Sequence, residues 1–109
     1  MAYDEELATR VRELLATTPR VSERKMFGGL AFMIAGNMAC GIFGTDLMLR
    51  LGEAGADAAL DEPYVRPMDF THRPMKTMVY VSPAGTNTPQ ALRGWIDKAL
   101  AYASSLPAK

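Results

Sequence analysis

The sequence predicts an α+β fold in which two long helices pack on one face of an antiparallel sheet, and three observations lead there. Apolar residues recur with helical period near both ends of the chain, at Leu7–Leu15 and at Leu92–Leu106. Between them lie short apolar runs of strand length, separated by Gly or polar pairs. A small alanine-rich helical segment divides those runs into two groups. The expected order is helix, three-strand antiparallel meander, helix, two strands, helix.

The first helix is expected over residues 4–18. Asp4 is a good N-cap, and Glu5 and Glu6 suit the positive end of the helix dipole. Leu7, Val11, Leu14 and Leu15 then share one face, and Thr17-Thr18-Pro19 stops the run. Next, Gly36-Asn37 separates Leu30–Ala35 from Met38–Phe43, and Thr45-Asp46 separates that run from Leu47–Leu51, which reads as consecutive hairpins. Ser22–Phe27 is a lead-in, and Gly28-Gly29 a bend. Within the last run Leu47, Leu49 and Leu51 point one way, Met48 and Arg50 the other. Gly41, inside the middle strand, marks a bulge or a close backbone approach.

Residues 53–61 read as a short surface helix. Glu53, Asp57 and Asp61 form an acidic outer stripe, Ala56, Ala59 and Leu60 the apolar one, and Pro63 ends it. Two extended pieces follow, Tyr64–Phe70 and Arg73–Val81, with Arg66-Pro67-Met68 echoed as Arg73-Pro74-Met75. The last helix opens with Thr88 as N-cap and Pro89 in the first turn. Leu92, Trp95, Ile96, Ala99, Leu100, Ala103 and Leu106 hold its apolar face until Pro107.

At 109 residues and 11.9 kDa the chain has room for one domain spanning 1–109. Area scaling lets such a chain bury roughly two thirds of its unfolded surface, enough for one core without a metal or disulfide. Twelve acids balance 12 bases and 49% of residues are hydrophobic, which argues against disorder and against a DNA-coating protein. The single cysteine, Cys40, excludes an intrachain disulfide and fits a reducing compartment. Acidic residues where a signal peptide would be basic, and apolar runs too short for a bilayer, make the cytoplasm the expected location, without membrane contact. Eight methionines are the compositional oddity. Met26, Met33, Met38, Met48 and Met78 fall in expected strands as core fillers, whereas Met68 and Met75 belong to the Arg-Pro-Met pair.

Four stretches carry a family resemblance: Arg24-Lys25-Met26-Phe27-Gly28-Gly29, Met38-Ala39-Cys40-Gly41-Ile42-Phe43-Gly44, Leu47-Met48-Leu49-Arg50 and Arg66-Pro67-Met68-Asp69-Phe70. Together with the Trp95 helix and its Ser-Leu-Pro end, the chain resembles the N-terminal domain of the TfoX/Sxy family. The resemblance implies a small α+β domain of secretion-chaperone-like architecture that commonly pairs into dimers. The family's best-known full-length members regulate natural competence by assisting a cyclic-AMP receptor protein at promoters, and they carry a second, C-terminal domain. This chain is expected to lack that second domain. The family supplies no catalytic residue to transfer.

Cys40 and His72 are the only Cys/His pair, a nucleophile and base in principle, but Cys40 lies in an apolar strand where a thiol behaves as a small hydrophobe. No acids around His72 have metal-ligand spacing, and no phosphate loop accompanies the glycines, so no cofactor or metal is expected. Arg20, Arg24 and Lys25 form one basic segment, and Arg66, Arg73 and Lys76 another. Brought together they would contact phosphates; otherwise they are solvated charges, paired with the acidic stripe. Arg66, Met68, Asp69, Phe70, Arg73 and Met75 are either an exposed contact with another chain or a core plug pinned by an Arg–Asp69 pair. The favoured reading is a non-enzymatic, self-associating domain that binds a protein partner such as a transcription regulator. Direct nucleic-acid binding through 20–25 and 66–76 is the alternative, and an enzyme using Cys40 the third.

Overall fold

In the computed structural model the described residues are 3–26, 28–70 and 73–107, with the side chains of 26, 68–70 and 73–75 outside the description. Helix α1 (Glu5–Leu14) is followed by four strands, β1 (Val21–Met26), β2 (Gly29–Ile34), β3 (Asn37–Phe43) and β4 (Asp46–Arg50). Helix α2 (Gly52–Ala59), strands β5 (Val65–Phe70) and β6 (Arg73–Val81), and helix α3 (Pro89–Ser104) complete the order. All six strands form one antiparallel sheet in the order β1-β2-β3-β4-β6-β5.

The fold is α+β as expected, with one addition to the meander. The segment read as a lead-in is itself a strand, β1, fully registered on β2 from Val21↔Ile34 to Met26↔Gly29. A two-residue connection reverses the chain there, helped by Gly28 at φ +75°, a left-handed conformation that favours glycine. Polar Ser22–Lys25 gave little sign of a strand because β1 is an edge, with exposed side chains and no core periodicity.

Capping worked as the sequence suggested. Asp4 Oδ1 accepts from the N–H groups of Glu6 and Leu7 at 3.0 and 3.3 Å, and Thr88 Oγ1 accepts from Ala91 N–H at 3.1 Å. Helix α1 stops at Leu14, short of the expected residue 18, and Leu15–Thr17 relax into a turn. Pro19 disfavours helical backbone at Thr18, and the β-branched Thr17-Thr18 pair adds little helix propensity. In α2, Ala56 and Ala59 are buried but Leu60 is 40% exposed, so the expected apolar stripe ends one residue early. Leu60 is already the C-cap of the helix, beyond its last turn.

The main core lies between the sheet and the helices. Leu30, Phe32, Ile34, Cys40, Ile42, Leu47, Leu49, Val79 and Val81 meet Leu7, Val11 and Leu15 of the α1 segment, Ala56 and Ala59 of α2, and Leu92, Trp95, Ile96 and Ala99 of α3. Each large side chain buried there contributes on the order of 1.5–3 kcal/mol. None of the methionine side chains described is part of it. Met48, Met78 and Tyr80 form a separate buried cluster with half-buried Met38 and Phe43, on the face opposite the helices. Gly41 permits this arrangement: a Cβ there would stand 2.6 Å from Leu30 O and 2.8 Å from the Met48 Cε methyl. The close approach is therefore at Gly41, while the register irregularity is at Phe32/Met33, one residue pair away.

Candidate protein-interaction surface

Strand alternation places Met48 of β4, Met78 and Tyr80 of β6 and Phe43 of β3 on the helix-free face. Over them runs a charged and aromatic chain. Arg66 of β5 crosses β6, its guanidinium carbon 4.9 Å from the centre of the Tyr80 ring, to reach Asp46 of β4. There Arg66 Nη2 donates to Asp46 Oδ2 at 2.7 Å, while Nη1 donates to Ser82 Oγ at 3.1 Å. Tyr80 stacks in turn on Phe43, centroids 6.2 Å apart and planes 29° from parallel. The Asp46 carboxylate raises the Arg66 pKa by hydrogen bonding, and burial raises that of Tyr80 against the opposing pull of the Arg66 charge. Arg66 thus latches the outermost strand to β4 across β6.

Of the six residues expected to contact a partner, Arg66 is the one whose side chain is described, and its carboxylate partner is Asp46. Met68, Asp69 and Phe70 lie on β5 and Arg73 and Met75 on β6, all with side chains outside the described residues, so the Arg–Asp69 pin lies there too. Their backbone placement is informative. Register steps from Pro67↔Val79 to Met68↔Met75, leaving Lys76, Thr77 and Met78 without a β5 counterpart. The Arg-Pro-Met pair therefore builds the tip of an edge hairpin that departs from the regular sheet.

The basic residues expected to contact phosphate divide between the two ends of the sheet. Arg20, exposed at φ +64°, precedes β1, and Arg24 and Lys25 are exposed on it. Lys76 sits on β6, four strand steps away, about 19 Å at the usual interstrand spacing. Lys76 lines a concavity with Glu53, Ala54, Asp57 and Leu60, facing the acidic stripe of α2. A groove between α2 and α3 is lined by small and apolar residues, among them Leu51, Ala59 and Tyr102, together with Glu62 and Lys98.

Cys40 is fully buried, and loss of solvation pushes its thiol pKa up to about 12. The thiolate that nucleophilic chemistry needs is absent at neutral pH. His72 lies outside the described residues. Among the described residues no three metal-ligating side chains cluster, and no helix is long and apolar enough to cross a membrane.

The sheet that carries this surface also carries the sequence stretches that resemble a known family: Arg24–Met26 lies on β1, Met38–Phe43 on β3, Leu47–Arg50 on β4 and Arg66–Phe70 on β5. A family model for the TfoX N-terminal domain matches residues 13–103. The chain belongs to the TfoX N-terminal domain family. That family is often linked to competence regulation and is not known as enzymatic. Neither a curated protein nor a solved structure matches the chain. Three contacts of this TfoX N-terminal domain were not foreseen from its sequence: the Arg66–Asp46 bridge, the Phe43–Tyr80 stack and the paired Arg12–Glu23 bonds, both 2.8 Å. The alternation in β4 already set Met48 apart from its leucines, but the partners depended on strand order.

Proposed function

We propose that this TfoX N-terminal domain is a non-enzymatic, self-associating protein-binding module, a cytoplasmic accessory to transcription regulation built as a single domain over 1–109. The supporting observation is the uneven cover of the sheet. The buried apolar side chains of α1, α2 and α3 join one core, while the Met48–Met78–Tyr80 cluster includes no helix residue. Met48, Met78 and Tyr80 are themselves buried, so what this face of the sheet offers a partner is the half-buried Met33, Met38 and Phe43, side chains that adapt to varied shapes. The hairpin tip with Arg66, Met68, Asp69, Phe70, Arg73 and Met75 borders that face and serves as the contact element.

Two measurements test the reading. Sedimentation equilibrium of the full chain at tens of micromolar is expected to give a dimer; a monomer throughout rejects self-association. Cosedimentation with the host's cyclic-AMP receptor protein is expected to be lost in Phe70→Asp without a fall in Tm. A fall of many degrees instead identifies Phe70 as a core plug and removes the tip as a contact. Duplex DNA is expected to bind neither at low nor at moderate salt, since the basic segments are far apart and Lys76 faces carboxylates.

A further inference from the structure

The two edges of the sheet differ in their capacity to accept another strand. Strand β5 has Pro67, which lacks an N–H, and a three-residue break in its register with β6. Strand β1 has neither. It is regular over six pairs, contains no proline, and exposes Ser22, Glu23, Arg24 and Lys25.

The direction of its free backbone groups follows from the hairpin. A pair closing a two-residue connection, here Met26↔Gly29, exchanges both backbone hydrogen bonds, and such pairs recur at every second residue. Ser22, Arg24 and Met26 therefore bond to β2. The Ala35 N–H to Arg20 O bond of 3.0 Å extends the same parity by one more pair. Val21, Glu23 and Lys25 consequently direct their N–H and C=O groups outward, where no described residue adds a further strand.

We propose that this edge is a self-association site at which β1 pairs antiparallel with β1 of a second copy of the chain, placing Glu23 opposite Lys25 of the other copy, twice. The proposal rests on the self-association read above and assigns its interface. Charge selects the register. A two-fold axis perpendicular to the sheet keeps the helix-bearing faces aligned only for pairings of like parity. Among these, centring the axis on Glu23 opposes two glutamates, and centring it on Lys25 opposes two lysines. Centring it on Arg24 yields two Glu23–Lys25 pairs on the helix-bearing face and one Arg24–Arg24 pair on the open face. Opposite charges directly across an antiparallel pair attract, and like charges repel. The same charges discourage strands of other sequence, so they filter the partner as well as attract it. The contact is isologous and closes at two copies, extending the sheet across the pair.

Sedimentation equilibrium at low salt on the full chain, Glu23→Lys, Lys25→Glu and an equimolar mixture of the two variants tests the register. Each variant alone opposes like charges, and its dimer Kd is expected to rise at least about tenfold. The mixture restores two opposite pairs and is expected to recover wild-type affinity as a heterodimer. Arg24→Ser is expected to tighten the dimer by removing the one repulsive pair. Glu23→Lys also breaks the Arg12 bridge, so Lys25→Glu, which touches no described partner, is the control for folding. Wild-type dimers that persist unchanged in both variants overturn the β1 interface and leave self-association standing. A wild-type chain monomeric at every concentration overturns both.

Discussion

At the scale of single residues, burial decides chemistry at Cys40. With the thiol pushed to about 12, a disulfide reagent at pH 8 finds almost no thiolate in the folded chain. Labelling of Cys40 is expected only at the rate of unfolding, and to accelerate with urea in step with loss of structure; fast labelling of the native protein would contradict the burial. Backbone proximity decides Gly41. Its missing Cβ leaves room for the Leu30 carbonyl, which cannot rotate away, so Gly41→Ala is expected to cost about 1–3 kcal/mol. Gly94 is the contrast, exposed within α3 with nothing within 4 Å of a Cβ. Gly94→Ala is expected to stabilise by about 0.5–1 kcal/mol through helix propensity and reduced freedom of the unfolded chain. Thermal melts of the two variants should move in opposite directions.

At the scale of elements, the sequence was legible wherever one face of an element meets the core. Leu7 and Val11, and Leu92, Trp95, Ile96 and Ala99, are buried at the spacing that announced them. Strand β1 was not legible because an edge strand facing water needs no apolar alternation, and the length of α1 was overread because period alone says nothing about where Thr18-Pro19 frays it. Of the candidate site, the placement of Arg66 on an extended piece was readable, but its partner was not: Asp46 is twenty residues away and adjoins it only through the strand order β4-β6-β5. Glu23 ties β1 to α1 in the same long-range way. The Arg12 hydrogen bonds lower the Glu23 pKa, so the bridge stabilises the fold above the ordinary carboxylate pKa and is lost as pH falls through the lowered folded value. Both side chains are more than a third exposed, 41% and 37%, so screening limits the effect to well under about 1 kcal/mol. Urea titrations of wild type and Glu23→Gln are expected to differ slightly at pH 7 and to converge near pH 2; a constant gap across that range would assign the bridge no role.

At the scale of the whole molecule, the sheet is packed differently on its two faces, and the methionines report which side water reaches. Met48 and Met78 are 0% and 6% exposed, under Tyr80 and Phe43, whereas Met33 and Met38 are half-buried on β2 and β3. Thioether oxidation by peroxide follows access of the reagent to sulfur, and the sulfoxide is too polar to be returned to an apolar site without cost. Brief peroxide treatment of the folded chain, read by peptide mass spectrometry, is therefore expected to oxidise Met33 and Met38 well before Met48 and Met78, and all four alike in urea. The β1-paired dimer leaves the open face wet, so dilution through the dimer transition is expected to leave that order unchanged. A partner seated on the methionine face instead protects Met33 and Met38 specifically, which separates a protein held at the edge from one held on the sheet.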